Sequence, residues 1–295
     1  GVSGIKIKKN ISNTTFDSIQ INKILKKIKE NKIDNVILEA SSHGLDQNRL
    51  HGIKFDIGIF TNFTRDHLDY HKTFRNYLDA KLILFKKLMK KKSFAIYDDE
   101  LNISTILRKI CKSKNTKRFT IGNKKSNLTI INHQFLKDEQ KIIFKFKNKK
   151  YSFSTKLIGK IQIKNLLMAV MAAIKSNIPL EKIIKVIKNI KPVDGRLEKI
   201  AKLNNNGIVI LDYAHTPDAL ETCIKNIKDQ FKFRKINLVF GCGGERDRSK
   251  RKLMGKIANE YCNKIYLTDD NPRNENPKKI RDDIKSNITN DKLLE

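Results

Sequence analysis

Residues 207–240 read GIVILDYAHTPDALETCIKNIKDQFKFRKINLVF, and the order of patterns in that stretch decides the fold. Gly207 to Leu211 is a short apolar run rich in β-branched residues, the mark of a buried strand. Thr216-Pro217 is a helix start, because a hydroxyl there caps the first free N–H groups and proline lacks only an N–H that has no partner anyway. A helix over Pro217 to Phe231 follows, then a second strand over Ile236 to Phe240. Strand, helix, strand is the connection that a parallel sheet requires.

The alternation continues in both directions. Downstream, Lys250 to Asn263 has helical period and Lys264 to Thr268 strand character, so this half reads as part of a doubly wound unit. Upstream, Asn35 to Leu38, Phe55 to Phe63 and Ser93 to Tyr97 are expected strands, and Phe74 to Met89 an expected helix. From Leu128 to Leu157 apolar and polar residues alternate, clearest in Ile142 to Phe146 and Tyr151 to Phe153, which predicts an antiparallel flap. Gly159 precedes helices over Asn165 to Ser176 and Leu180 to Ile190. The turn residues Pro192-Val193-Asp194-Gly195 set the boundary between two domains, 1–192 and 193–295. The fold class is α/β, a mostly parallel sheet with an antiparallel flap followed by a Rossmann-like unit. No internal repeats occur.

With 39% hydrophobic and 32% charged residues the chain is globular rather than disordered. No apolar run approaches the roughly 18 residues that span a bilayer, and Gly1 to Asn10 lacks the apolar core of a signal peptide. The chain starts without Met, which implies that it was cut from something longer. Cys111, Cys223, Cys242 and Cys262 form no CxxC pair, so neither a disulfide framework nor a zinc site is implied and a reducing cytoplasm is expected. The formal charge of +31 raises nucleic-acid binding as a rival reading. However, the lysines are spread evenly and accompany abundant Asn and Ile, the residues that AT-rich codons favour. There is no basic block interleaved with aromatics, so codon bias is the better account.

Polar clusters follow the strands, where open α/β sheets place their ligands. Glu39-Ala40-Ser41-Ser42-His43-Gly44-Leu45 and Thr61 to His71 come first. A carboxylate and an imidazole at neighbouring strand ends suit a shared divalent cation; on spacing alone, capping and surface histidines explain them better. Asp212 to Pro217 is the third cluster. Gly241-Cys242-Gly243-Gly244 leads into Glu245-Arg246-Asp247-Arg248, a turn that can offer N–H groups to an anion or simply turn tightly. In Asp269-Asp270-Asn271-Pro272-Arg273, a guanidinium fork and carboxylates suit the zwitterionic end of an amino acid.

The ordered series ILEASSHGLDQNR, TNFTRDHLDYH, YLDAK, GRLE, LDYAHTPDAL, FGCGGERDRSKR and TDDNPR resembles the Mur ligase family over nearly the whole chain, and within it the members that add meso-diaminopimelate. The resemblance implies an ATP-dependent, magnesium-dependent ligase of cytoplasmic peptidoglycan synthesis. Its partners would be UDP-N-acetylmuramoyl-L-alanyl-D-glutamate, whose free carboxylate is phosphorylated by ATP, and meso-diaminopimelate, whose amine attacks the acyl phosphate. A monomer without membrane insertion or nucleic-acid partner is implied.

By the same resemblance Lys81 would be carbamylated and, with Glu39 and His67, associated with magnesium. Neutralising the phosphoryl group eases its transfer. The UDP-linked substrate would meet Asn13, Thr14, Thr15, Ser41, Gln47 and Arg49. Asn165, Arg196, Asp212 and His215 would surround the nucleotide; the family's GxxNxxN motif is altered here, with Gln162 at its first Asn. Arg246 and Asp270, Asn271, Pro272 and Arg273 would bind diaminopimelate, whose second carboxylate an arginine holds bidentately and which lysine lacks. The family's P-loop has no counterpart, since no G-x-x-x-x-G-K-[ST] occurs in the chain. The fragment alone is therefore expected not to turn over. Lysine-adding and folylpolyglutamate synthase-like ligases are the nearest alternatives, and SSHGL and DNPR argue against both.

Overall fold

The computed structural model describes residues 14–136, 138–289 and 291–294. They form two compact units, one of residues 14–63, 71–128 and 168–180, the other of 64–70, 129–167 and 181–294. The architecture is α/β in both.

The first unit is built on strands β1 (Phe55–Phe60), β2 (Met89–Asp98) and β3 (Lys117–Gly122), all parallel, with Ile59 opposite Ile96 and Tyr97 opposite Thr120. Helix α1 (Ser18–Glu30) starts where Asp17 accepts the amides of Ile19 and Gln20. It turns Ile21 and Ile28, two turns apart, into the core. A short helix α2 (Ser42–Asp46) is capped by Ser41, and a helical turn α3 spans Leu68–His71, all but its last residue counted in the second unit. Helix α4 (Phe74–Ile83) begins at the Thr73 cap, and α5 (Ser104–Ser113) buries Leu107 and Cys111 on one face. The core gathers Leu45, Leu50, Phe60, Leu82, Phe85, Leu88, Tyr97 and Leu107.

Two expectations are corrected here. Residues 35–38 take no strand conformation, and Ile37 is 93% exposed. An apolar run becomes a strand only by pairing, and among the described residues this one has no ladder partner. The helix expected over Phe74 to Met89 ends at Ile83, widens into a π-turn over Leu84–Leu88, and gives way to β2 at Met89. The wider turn buries Leu84, Phe85 and Leu88 together.

The second unit holds the expected flap: β4 (Leu128–Phe135, described here from Thr129), β5 (Gln140–Phe146) and β6 (Lys149–Thr155), in that order. Between β5 and β6, Lys147 and Asn148 both have positive φ, 46° and 62°, the two-residue turn whose twist suits a hairpin. Helices α6 (Lys160–Lys175), whose second half from Met168 is counted in the first unit, and α7 (Leu180–Ile187) follow, and β7 (Glu198–Lys202) pairs antiparallel with β8 (Ile208–Leu211). Helix α8 (Pro217–Gln230) starts as its sequence dictates, with the Thr216 hydroxyl accepting the Ala219 amide and Pro217 in the first turn. β9 (Asn237–Phe240), β10 (Lys264–Leu267) and β11 (Leu293–Leu294) are parallel, joined by α9 (Ser249–Tyr261) and α10 (Pro277–Lys285). Met254, Ala258 and Cys262 meet Ile280, Ile284 and Ile288 in the core. A Cβ on Gly255 would stand 2.1 Å from the Ile284 carbonyl oxygen, so glycine permits this close crossing. All four cysteines are free, and Cys111, Cys242 and Cys262 are buried.

Candidate active site

In the first unit Thr15, Ser41, Gln47 and Arg49 come together. The Thr15 hydroxyl, buried to 2% exposure, donates to the Glu39 carbonyl at 2.8 Å and accepts the Ser41 amide at 3.0 Å. Arg49 donates to the Thr15 carbonyl at 2.8 Å, and its Nε and NH2 both reach Gln47 Oε1, at 3.0 and 2.5 Å. These contacts fix the direction of the guanidinium, a planar fork of the kind that suits an anion. Gly44 is needed beneath it, since a Cβ there would meet Thr15 at 2.7 Å. Thr14 and Glu39 are exposed; Asn13 lies outside the described residues. His71, also buried, places Nε2 3.0 Å from the Ser42 hydroxyl.

Lys81 is not a plain surface lysine. It is half-buried on α4, with Nζ 5.7 Å from the Phe60 ring centre and 5.2 Å from that of Tyr77.

The second unit contains the remaining predicted residues. Asp66 sits between two of them: its Oδ1 accepts the His67 amide at 2.8 Å, its Oδ2 lies 3.5 Å from His67 Nε2, and His215 Nε2 is 4.0 Å away. His67 holds a positive φ of 54°, an uncommon conformation for a non-glycine residue. Its segment is tied down by the Arg65 amide to Asp218 at 2.9 Å, and by the Arg65–Asp247 and Arg246–Asp69 ion pairs at 3.7 and 3.8 Å. Arg246, expected at the amino acid, lies 3.8 Å from Asp69 of this segment.

Asp212 has a backbone role. Its two oxygens accept the amides of Leu197 and Ala214 at 2.8 and 2.9 Å, joining the GRLE turn to the AHTP turn. Arg196 then stacks its guanidinium 5.1 Å from the Tyr213 ring. Gln162, the departure from the family motif, donates to the Arg196 carbonyl at 3.0 Å, so the longer amide is used to hold the same turn. Asn165 is exposed one turn along α6.

The glycine-rich turn and the Asp269-to-Glu275 loop leave the C-terminal ends of β9 and β10, which run side by side with Phe240 opposite Leu267. They are packed backbone against backbone. A Cβ at Gly241 would be 2.2 Å from the Thr268 oxygen, and one at Gly244 1.9 Å from the Pro272 oxygen. The Gly244 amide donates to the Asn271 carbonyl at 2.9 Å, and Arg273 NH1 returns a bond to the Gly244 carbonyl at 2.6 Å. Asp270 and Arg273 converge over Gly243, where a Cβ would stand 3.0 Å from Arg273 NH1 and 3.6 Å from Asp270 Oδ2. Among the described residues the Nε and NH2 of Arg273 have no partner, and they form the open edge of an exposed fork.

Sequence reading misses three residues that organise these loops. Asn226, 8% exposed, accepts the Ile161 amide at 3.2 Å and leaves no space for a side chain at Gly159. Arg251, 1% exposed, bonds both oxygens of Glu275 at 2.9 and 3.0 Å and Asp283 at 3.0 Å. That contact and the Glu245 amide hold the Glu275 carboxyl down to about 2. The only warning in the sequence is one arginine inside an apolar helical stripe.

Among the described residues no group of three or more His, Cys, Asp or Glu gathers as a metal centre. The donors expected for magnesium fit it in part. Glu39 is an exposed carboxylate and a carbamate on Lys81 would add oxygens, which a hard cation prefers, whereas the His67 imidazole is a softer donor.

Residues 1–173 match the Mur ligase middle domain, and residues 195–293 match the Mur ligase, glutamate ligase domain. The chain is 42% identical over 276 residues to the UDP-N-acetylmuramoyl-L-alanyl-D-glutamate--2,6-diaminopimelate ligase of Rickettsia montanensis, covering 93% of this chain and 57% of that protein. To the ligase of the same name from Rickettsia bellii it is 41% identical over 284 residues, covering 96% and 59%. A solved structure of a UDP-N-acetylmuramoyl-L-alanyl-D-glutamate--2,6-diaminopimelate ligase superposes with a TM-score of 0.69 at 30% identity, over 99% of this chain and 60% of that one. The chain thus spans less than two thirds of each of these proteins.

Proposed function

This chain belongs to the Mur ligase family, and from that premise we propose that it carries the middle and C-terminal parts of the ligase that joins meso-diaminopimelate to UDP-N-acetylmuramoyl-L-alanyl-D-glutamate. The domain boundary is proposed at 192/193, which the interval between the two family matches, 173 to 195, supports. ATP is the phosphoryl donor, and the enzyme works as a cytoplasmic monomer. Among the described residues no helix is long and apolar enough to cross a membrane.

The observation that carries the reading is the Arg273 fork. NH1 is fastened to the Gly244 carbonyl, Asp270 stands beside it, and the other two nitrogens face outward. Such a pair matches one carboxylate and one ammonium of an amino acid, and it penalises a ligand lacking that carboxylate. Arg49, braced by Gln47 and the Thr15 carbonyl, is assigned to the anionic UDP-linked substrate. Arg196, stacked on Tyr213, and Asp212, His215 and Asn165 are assigned to the nucleotide side. Bound magnesium would neutralise phosphoryl charge, held by Glu39 and carbamylated Lys81 with His67. The substrate carboxylate attacks the γ-phosphorus, ADP leaves, and the diaminopimelate amine displaces phosphate from the acyl phosphate. In that last step the amine passes a proton to solvent as the amide forms, and Arg273 with Asp270 selects which amine is presented.

The test is phosphate release by the intact ligase with ATP, magnesium and the UDP-linked dipeptide, offering meso-diaminopimelate or L-lysine. Turnover with diaminopimelate is expected. Arg273→Ala should lower kcat/KM for it at least a hundredfold, about 3 kcal/mol, the scale of truncating one partner of a charge pair. Turnover with lysine instead would refute the specificity assignment.

A further inference from the structure

The largest fully buried side chain among the described residues is a charged one, Arg251, at 1% exposure. Only 12 of the 62 basic residues are arginine, yet this buried position holds one. A buried ion network of this kind is often no more stabilising than apolar residues of similar volume, so its retention calls for a geometric account.

The connections supply one. Arg251 stands on α9 and its NH2 is shared between both oxygens of Glu275, while NH1 reaches Asp283 on α10. Glu275 Oε1 also accepts the Glu245 amide, at 2.5 Å, and Oε2 lies 3.3 Å from Arg248 Nε. Glu275 in turn donates its own amide to the Pro272 carbonyl at 3.0 Å, and Asn274 donates to the Glu245 carboxylate at 2.7 Å. One guanidinium therefore fixes the glycine-rich loop and the Asp269-to-Glu275 loop to the same two helices. Lysine has the charge but not the fork that grips one carboxylate while holding a second.

We propose that Arg251 is a positioning residue for the amino-acid subsite: through Glu275 it holds the two loops in register, so that Arg273 and Asp270 converge over Gly243. The inference rests on the reading of that subsite given above. Arg251 touches no substrate; it acts through Glu275 and the loop backbone.

The experiment uses the intact ligase with Arg251→Met, Arg251→Lys and the milder Glu275→Gln, which keeps the shape and removes the charge. Arg251→Met and Glu275→Gln should raise KM for meso-diaminopimelate at least tenfold, leave KM for ATP within twofold, and change kcat less than KM. Arg251→Lys should recover part of the loss. Hydrogen exchange of the Gly244 and Glu245 amides should speed at least tenfold, with the α8 amides unchanged. A uniform acceleration throughout the second unit, or unchanged loop amides and KM, would overturn the proposal. If the parent enzyme ignores diaminopimelate, the functional reading fails on that control alone. The Gly244 and Glu245 amides still decide whether Arg251 positions the loops.

Discussion

A methyl group on residue 244 would lie 1.9 Å from the Pro272 carbonyl oxygen, and backbone cannot swing aside as a side-chain tip can. Gly244→Ala is expected to destabilise by about 2 kcal/mol, the scale of overpacking, and to separate the two loops. Gly52 offers a contrast: nothing lies within 4 Å of its Cβ position, but its φ is +83°. Gly52→Ala should cost about 1 kcal/mol through backbone strain alone and leave ligand binding intact; urea denaturation of both variants separates the two effects. Glu275 adds a pH dependence. Its folded carboxyl titrates at about 2 against an ordinary 4.5, so its contribution is complete above about 4.5 and fades as pH falls toward about 2. Thermal melts from pH 6 to pH 2 should fall less steeply in Glu275→Gln than in the parent.

At the scale of elements, helix starts are where local chemistry decides. Thr216 accepts the Ala219 amide, and Pro217 occupies the first turn of α8. Thr216→Ala should therefore lower stability by about 1 kcal/mol, a shift that circular dichroism melts resolve. This helix, the strands β8, β9 and β10 around it and the flap are legible because turn residues bound each apolar run, whereas the antiparallel pairing of β8 with β7, outside the parallel sheet of β9 and β10, is not. Helix α1 is missed, since only Ile21 and Ile28 are buried and its lysines hide the period. The π-turn after α4 is missed because its residues look helical, and the distinction arises from packing three large side chains at once. Residues 35–38 mislead for the opposite reason: they have strand composition without a strand beside them. The site divides the same way. Asp270 and Arg273 announce themselves by type and by their place after a strand. Asn226 and Glu275 act through distant amides and Arg251 through two distant carboxylates, and nothing in the local sequence points to those partners; Asp66 accepts the amide of its neighbour His67 and lies near the distant His215.

Across the whole molecule the charge of +31 matters more than any single ion pair. Lysines spread over the surface repel one another, and ion pairs such as Lys90–Asp56 and Lys86–Asp79 involve exposed side chains, worth little each. Added salt should accordingly raise the melting temperature. An increase from about 0.05 to about 0.5 M shortens the screening length about threefold, and calorimetry across that range tests the sign. The four free thiols have a separate use. Burial pushes Cys223 up to about 12 and Cys111 and Cys262 up to about 11, so a thiolate rarely forms in the folded chain, and at the buried Cys111, Cys242 and Cys262 alkylating reagents must wait for the protein to open. Cys111 lies in the first unit, and Cys223, Cys242 and Cys262 lie in the second. Peptide-resolved alkylation is thus a built-in clock with two hands, timing the breathing of each half of the chain without any engineered label.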